Sequence, residues 1–117
     1  MKSDYKQPVG SLRISRDVIA TIAGTAAREV EGVSGLAAVG FTGILSHRKA
    51  VHPVTIALSD DIAIIDLRLV LKNGVRIPIV ADCVQRAVKE SVQNMTGIAV
   101  SKVNVVIDNI AFDASVQ

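Results

Sequence analysis

The sequence predicts an α+β fold, a two-layer sandwich with a mixed four-stranded or five-stranded sheet and two helices on one face. Three patterns predict it. Two segments have one apolar face at helical spacing, two adjacent segments alternate as in a hairpin, and the pairs Gly32-Val33 and Gly97-Ile98 end the helices. The predicted order is β-α-(β)-β-β-α-β, in a single domain over 1–117 with loose tails at 1–8 and 113–117.

The N-terminal part of the chain predicts a short strand and a helix. Leu12 and Ile14 alternate with polar neighbours, which is typical of a strand. Ser15 is a suitable N-cap and Gly32 a suitable left-handed stop, so we expect a helix over 16–31. Its predicted apolar face contains Val18, Ile19, Ile22, Ala23, Ala26, Ala27 and Val30.

The middle of the chain predicts a hairpin. Residues 54–59 and 62–72 alternate between apolar and polar positions, and Asp60-Asp61 between them is a turn signal. The second strand is expected to direct Ala63, Ile65, Leu67, Leu69 and Leu71 to the core. Before the hairpin, residues 33–39 are compatible with a short strand, and a glycine-containing loop follows them.

A glycine and a proline predict where the second helix begins. Gly74 ends the preceding strand, Ile77 is expected to be extended because a proline follows it, and Pro78 suits the first helical turn. Gly97 is the expected stop. The helix is expected to bury Val80, Cys83, Val84, Ala87, Val88, Val92 and Met95, and the last strand to bury Val103, Val105 and Ile107.

The other face of the sheet is predicted to be open and half apolar. By alternation it carries Thr55, Ala57, Ile62, Ile64, Arg68, Val70, Lys72, Lys102, Asn104, Val106, Asp108 and Ile110. Half-apolar open faces are common protein contact surfaces. We therefore predict partner contacts at Arg68, Val70, Val106 and Ile110, and self-association through this face or an edge strand.

The stretch KNGVRIPIV at 72–80 raises the question whether the junction is a binding site. A phosphate loop needs several glycines and a Ser or Thr, which this stretch lacks, so we favour a structural turn. Such a turn does not require an arginine at position 76, and a cation near a helix N-terminus is electrostatically unfavourable. We hypothesise that Arg76 contacts a partner, supported by Arg86 and Lys89; an ordinary surface salt bridge is the alternative.

Composition disfavours nucleic-acid binding. The 13 basic and 11 acidic residues leave a formal charge of +2, and one Tyr and two Phe offer little surface for base stacking. A small RNA-binding domain is nevertheless the alternative function, using Arg13, Arg68, Lys72 and Lys102 on the open face. The sequence GFTG at 40–43 matches the GxxG loop of KH domains, a pattern that is common by chance.

Residues for catalysis or metal binding are few. The single Cys83 falls on the predicted apolar helix face, where we expect a buried and inert thiol. His47 and His52 have four residues between them, a spacing that zinc sites use, but no cysteine pair accompanies them. We expect no catalytic residues, metal, cofactor or small-molecule substrate, and neither a signal peptide nor a membrane span.

Motifs in the second half resemble a known family. They are the junction GVRIP at 74–78, the pairs VQ at 84–85 and VK at 88–89, the stop MTG at 95–97 and the strand VNV at 103–105. Together they resemble the signature of the alkaline shock protein family, the Gls-type envelope stress response proteins. The opening of the chain is similar to that family as well.

The resemblance implies a cytoplasmic, enzymatically unassigned protein of Gram-positive bacteria that acts in cell-envelope and alkaline stress. Some members of the family lie at the inner face of the membrane because they bind a small membrane-anchored relative. Combined with the open sheet face, this predicts a non-catalytic interaction or scaffold domain that forms homo-oligomers.

Overall fold

The structure, a computed structural model, describes residues 9–37 and 52–112. Within them the chain forms α1 (Arg16–Arg28), β1 (Val33–Leu36), β2 (Val54–Ser59), β3 (Ile62–Lys72), α2 (Ile77–Thr96) and β4 (Ala99–Ala111). Both helices contribute to one core with one face of a mixed four-stranded sheet, which confirms the predicted two-layer α+β sandwich. The predicted tails lie outside the described residues.

The predicted first strand is wrong. Residues 11–15 adopt no strand, and the sheet contains only the later four strands of the described chain. Ile14 packs against the core, but Leu12 is 83% exposed. One buried side chain gives too little apolar burial to offset the entropy of ordering a strand.

β3 is the central strand of the sheet. β4 runs parallel to it along its whole length, and α2 makes the crossover that a parallel pair requires. On the opposite edge, β2 pairs antiparallel with 62–67 of β3 and β1 pairs antiparallel with 69–71. The predicted hairpin is confirmed, and its turn places Asp60 and Asp61 at φ 49° and 65°, as the tight turns of hairpins require.

β1 and β2 follow a single track along β3, and the chain leaves that track opposite Arg68. The Ala37 N–H donates to the Arg68 carbonyl at 2.9 Å, and the Arg68 N–H donates to the Pro53 carbonyl at 2.8 Å. In an uninterrupted antiparallel pair one residue makes both of these bonds. Ala37 and Pro53 therefore share one register position, and residues 38–52 are inserted between them.

The first helix begins and ends through identifiable contacts. Ser15 is the N-cap, as predicted, and its Oγ accepts a hydrogen bond from the Val18 N–H at 3.2 Å. The helix ends at Arg28, three residues earlier than predicted. Gly32 has a φ of +99°, and a Cβ at that position would lie 2.9 Å from a Val80 methyl group, so both backbone conformation and close packing require glycine.

The core is formed by a narrow stripe of each helix against β3 and β4. Its buried apolar residues are Ile19, Ala23, Ala26, Ala27, Val33, Ala63, Ile65, Leu67, Leu69, Leu71, Val80, Val84, Val88, Val92, Val100 and Val103. Most of the predicted core is thereby confirmed. Val105 and Ile107 also face it and are partly buried.

Three predicted core positions are wrong. Val18 is 48% exposed, Cys83 is exposed, and Met95 is 71% exposed. The α2 side chains that reach the sheet are spaced four residues apart, so Cys83, three residues after Val80, falls on the flank of the stripe. Met95 lies near the helix end, where it lines a groove between α2 and α1 instead of facing the sheet.

The start of α2 also differs from the prediction. Ile77 is the first helical residue, not an extended one, and Arg76 takes the extended N-cap conformation with φ −88° and ψ 108°. Pro78 lies in the first turn as predicted, where its missing N–H has no intrahelical acceptor to lose. Gly97 ends the helix in the left-handed conformation, as expected.

Candidate functional site

The open sheet face is the surface opposite the two helices. Along β3 it carries Ile62, Ile64, Asp66, Arg68, Val70 and Lys72, and the register places Lys102, Asn104 and Val106 of β4 beside Ile64, Asp66 and Arg68. Within residues 9–37 and 52–112 no helix covers this face. Ile62 and Val106 are 45% and 46% exposed, so apolar surface lies in contact with solvent.

The polar side chains of this face bind one another across the strands. The Asn104 Nδ2 donates to the Asp66 Oδ1 at 2.8 Å, and the Arg68 Nη2 donates to the Asp108 Oδ1 at 2.7 Å. Such cross-strand pairs stabilise a sheet by a few tenths of a kcal/mol to about 1 kcal/mol. Because these four groups already have partners, the apolar side chains and the exposed Lys72 and Lys102 are the part of the face left to make new contacts.

The predicted contact residue Ile110 is not on this face. β4 contains two bulges relative to β3, and the second changes the pairing from Leu69–Ile107 to Val70–Asn109. One extra residue reverses the alternation of side chains from that point on. Ile110 therefore packs against the core, whereas Arg68, Val70 and Val106 lie on the open face as predicted.

The outer edge of β4 is closed at its start by two glutamines of α2. The Gln85 Nε2 donates to the Val103 carbonyl at 3.0 Å, and the Val100 N–H donates to the Gln93 Oε1 at 2.9 Å. These side chains take the place of a neighbouring strand. Edge strands are protected against unwanted pairing by devices of this kind.

A groove of about 310 Å³ lies between α2 and this edge. Gln85, Arg86, Lys89, Val100, Ser101, Lys102, Val103 and Asn104 line it. Two predicted contact residues, Arg86 and Lys89, thus face the same groove, whereas Arg68 and Val70 lie on the open face. Arg86 pairs with Asp82 at 3.1 Å in an exposed (i, i+4) contact, which contributes little to stability.

Arg76 lies apart from both surfaces, at the N-cap of α2. It is exposed, its side chain makes no capping bond, and no ion pair joins it to another described residue. Ile77 and Ile79 beside it are 40% and 53% exposed. Its role as a partner contact stays a prediction.

The residues considered for metal or RNA binding are dispersed. His52 and Cys83 are exposed, and His47 and the GFTG sequence lie outside the described residues. No three His, Cys, Asp or Glu side chains within 9–37 and 52–112 come together as a metal site. Arg13 is not on the open face as the RNA-binding alternative expected, because its segment is not a strand; it lines a cavity with Leu12, Leu58 and Ile98.

Sequence reasoning missed the groove and the capped edge. The cations Arg86 and Lys89 were visible as neighbours on the polar side of α2, but the groove also includes Lys102 and the bulged Ser101 of β4. A bulge inside an apolar strand has no signal in a single sequence. The roles of Gln85 and Gln93 likewise depend on how α2 is placed over β4.

Comparison with known proteins identifies the family. The model of the ASP23, or alkaline shock, family, described as having a cell envelope-related function, matches residues 4–112. The chain belongs to the ASP23 family. This confirms the family resemblance of the motifs in the second half of the sequence, and similar proteins occur in Bacillus subtilis and Streptococcus pyogenes.

Three uncharacterised ASP23-type relatives cover nearly all of the chain. The chain is 35% identical over 121 residues to YqhY of Bacillus subtilis, covering 100% of this chain and 90% of that protein. It is 30% identical to YloU of the same organism, and the alignment covers 94% of this chain and 96% of YloU. It is 31% identical to Spy1614 of Streptococcus pyogenes, and the alignment covers 86% of this chain and 88% of Spy1614.

Solved structures show the same fold at low identity. Two variants of MamM CTD, the second in a nickel form, each have a TM-score of 0.51 with this chain. The first is 14% identical and covers 80% of this chain and 95% of that one; the second is 13% identical and covers 80% and 96%. At such identities the likeness shows the fold alone.

Neither helix described in this chain is long and apolar enough to cross a bilayer.

Proposed function

We propose that this ASP23 protein is a non-catalytic protein-interaction module of the alkaline cell-envelope stress response. It self-associates in the cytoplasm and reaches the inner face of the membrane by binding a small membrane-anchored relative. The family's cell envelope-related function supports the process.

The open sheet face is the observation that supports a binding role. An antiparallel or mixed sheet needs only one covered face for its core, but here the uncovered face keeps Ile62, Ile64, Val70 and Val106 wholly or partly in solvent. At its centre Arg68 is paired with Asp108, and Asp66 accepts a hydrogen bond from Asn104, so a partner that covers the centre meets charged groups that already have polar contacts. This combination of apolar centre and satisfied polar groups is typical of protein interfaces.

Charging the centre of this face tests self-association. Val106→Asp places a carboxylate beside Arg68 and among apolar side chains, and we expect it to shift the protein towards monomer in sedimentation velocity at matched concentrations. Asn94→Asp, on the exposed side of α2, adds the same charge elsewhere and should sediment as the wild type. A wild-type protein that stays monomeric at high concentration would contradict self-association.

The membrane partner requires a separate measurement. We expect the purified wild type to bind the cytoplasmic part of a membrane-anchored relative directly, and Val106→Asp to weaken that binding at least tenfold without lowering the melting temperature by more than a few degrees. Equal binding by both proteins would show that the partner uses another surface.

A further inference from the structure

The groove between α2 and β4 combines an apolar floor with a cationic rim. Val100 and Val103 at its base are 3% and 9% exposed, while Arg86, Lys89 and Lys102 are exposed around it. Its volume of about 310 Å³ lies at the lower end of small-molecule sites, which typically have an apolar lining and a few convergent polar groups.

The charge in the groove is one-sided. Its lining contains three cations and no acidic residue, although the whole chain carries a formal charge of only +2. Two of the cations come from the helix and one from the strand, so the field is set by the packing of two elements and not by one charged helix face. Asp82 pairs with Arg86 from outside the lining, through a contact whose side chains are 76% and 56% exposed. That pair is weak enough for Arg86 to exchange it for an anion in the groove.

The backbone at the groove excludes an added strand. An extended peptide that pairs with β4 would need the Val100 N–H and the Val103 carbonyl, and Gln93 and Gln85 already bond to them. The side chains of Gln85 and Asn104 are also engaged, in bonds to Val103 and Asp66. The groups left for a ligand are therefore the three cations, once Arg86 leaves Asp82, and the Ser101 hydroxyl of the bulge, and they suit a compact oxyanion better than a peptide.

We propose that the groove between α2 and β4 binds a soluble small molecule through its phosphate group. Arg86, Lys89 and Lys102 hold the phosphate, and Ser101 donates a hydrogen bond to it, above the floor formed by Val100 and Val103. The groove is open to solvent, so a soluble phosphate compound can reach the three cations without a membrane surface beside them. The proposal goes beyond the interaction role and does not depend on it, although Lys102 and Asn104 lie where the groove meets the border of the open face.

Pyrophosphate is the probe, titrated at constant ionic strength while backbone amide shifts are followed by NMR. We expect saturable shifts centred on residues 100–104 and on the third and fourth turns of α2. A cation about 4 Å from an anion in water contributes roughly a fivefold gain in affinity. The double variant Lys89→Gln with Lys102→Gln should therefore weaken binding roughly 25-fold, and all its substituted side chains are exposed, so the fold should persist.

Of two further variants, one is expected to tighten pyrophosphate binding and the other to leave it unchanged. Asp82→Asn removes the carboxylate that competes for Arg86 and should tighten binding about twofold to fivefold. Lys72→Gln removes a cation of the open face, outside the groove, and should bind as the wild type does. A titration that does not saturate, or that is the same for the double variant and Lys72→Gln, would show general anion screening and overturn the proposal.

Vesicles separate a soluble ligand from a lipid headgroup. Phosphatidylglycerol vesicles should not compete with pyrophosphate for the groove, and the double variant should leave any vesicle binding unchanged. Vesicle binding that is lost with Lys89 and Lys102, in the absence of a pyrophosphate site, would overturn the assignment to a soluble molecule. Sedimentation of the double variant as wild type would show in addition that this site and self-association are separate.

Discussion

Joining Ala37 directly to Val54 tests whether β1 and β2 are one interrupted strand. The variant lacks residues 38–53, and Ala37 would provide both the N–H and the carbonyl opposite Arg68. In the intact chain those two bonds, of 2.9 and 2.8 Å, come from Ala37 and from Pro53. The pairing of β2 with β3 continues at Val54 opposite Leu67, so the register of the remaining hairpin is unchanged.

The expected gain in stability follows from chain entropy. Folding must hold the two ends of a segment together, and the cost of this closure grows as (3/2)RT ln n. For the 16 residues removed this amounts to about 2.5 kcal/mol, which is an upper value because any contacts of the removed residues are lost with them. We expect the free energy of unfolding, measured by urea denaturation with circular dichroism, to remain equal or to rise by up to about 2.5 kcal/mol.

A shorter deletion is the matched control. Removing 38–52 keeps Pro53 after Ala37, which leaves two residues for one register position. The strand must then form a bulge or move its side chains to the wrong face, so this variant should be less stable than the longer deletion. If the longer deletion loses more than about 2 kcal/mol, or if the two variants are equally stable, β1 and β2 do not share one track.

The other predictions concern individual side chains. Gly32→Ala should lower the free energy of unfolding, measured by urea denaturation, more than Gly74→Ala does. Both glycines have a positive φ, where a Cβ costs about 1–2 kcal/mol, but only at Gly32 does the Cβ come within 2.9 Å of Val80. Equal losses for the two variants would refute the packing argument. Val84→Ala should lower the free energy of unfolding by about 2–3 kcal/mol because its side chain is fully buried, and an unchanged melting temperature would contradict this. Arg76→Ala should leave the melting temperature unchanged and weaken binding of the membrane-anchored relative; early unfolding with unchanged binding per folded molecule would make the arginine structural.

The parts of the fold that the sequence predicts are those where one side chain decides one local feature. Alternation in β3 predicts its five buried residues, and the cap at Ser15 and the stop at Gly97 predict helix ends. Each of these signals depends on neighbours within a few residues. The mixed sheet was predictable as well, because a hairpin supplies an antiparallel pair and a strand-helix-strand unit typically supplies a parallel one.

The wrong or missing parts depend on contacts between distant segments. Ile110 was placed on the open face because alternation was counted through a bulge that only the pairing with β3 reveals. Cys83 was placed in the core because helical spacing alone does not show how narrow the contact with the sheet is. The groove also depends on such contacts, since it joins Ser101 and Lys102 of β4 to a helix that packs over the same edge.

The closed start of β4 limits how this protein can assemble. A free edge strand is the usual route to uncontrolled association, and β4 is a 13-residue edge strand with one flank not paired to another described strand. Gln93 and Gln85 occupy the edge at Val100 and Val103, so strand addition is possible only farther along, where the second bulge at Asp108 distorts the ladder. Neither end of the strand therefore offers a regular row of free bonds. The open face has no such obstruction, because the polar groups at its centre are paired with each other and Ile62 and Val106 are exposed. Ordered self-association is accordingly expected through the face and not through the edge.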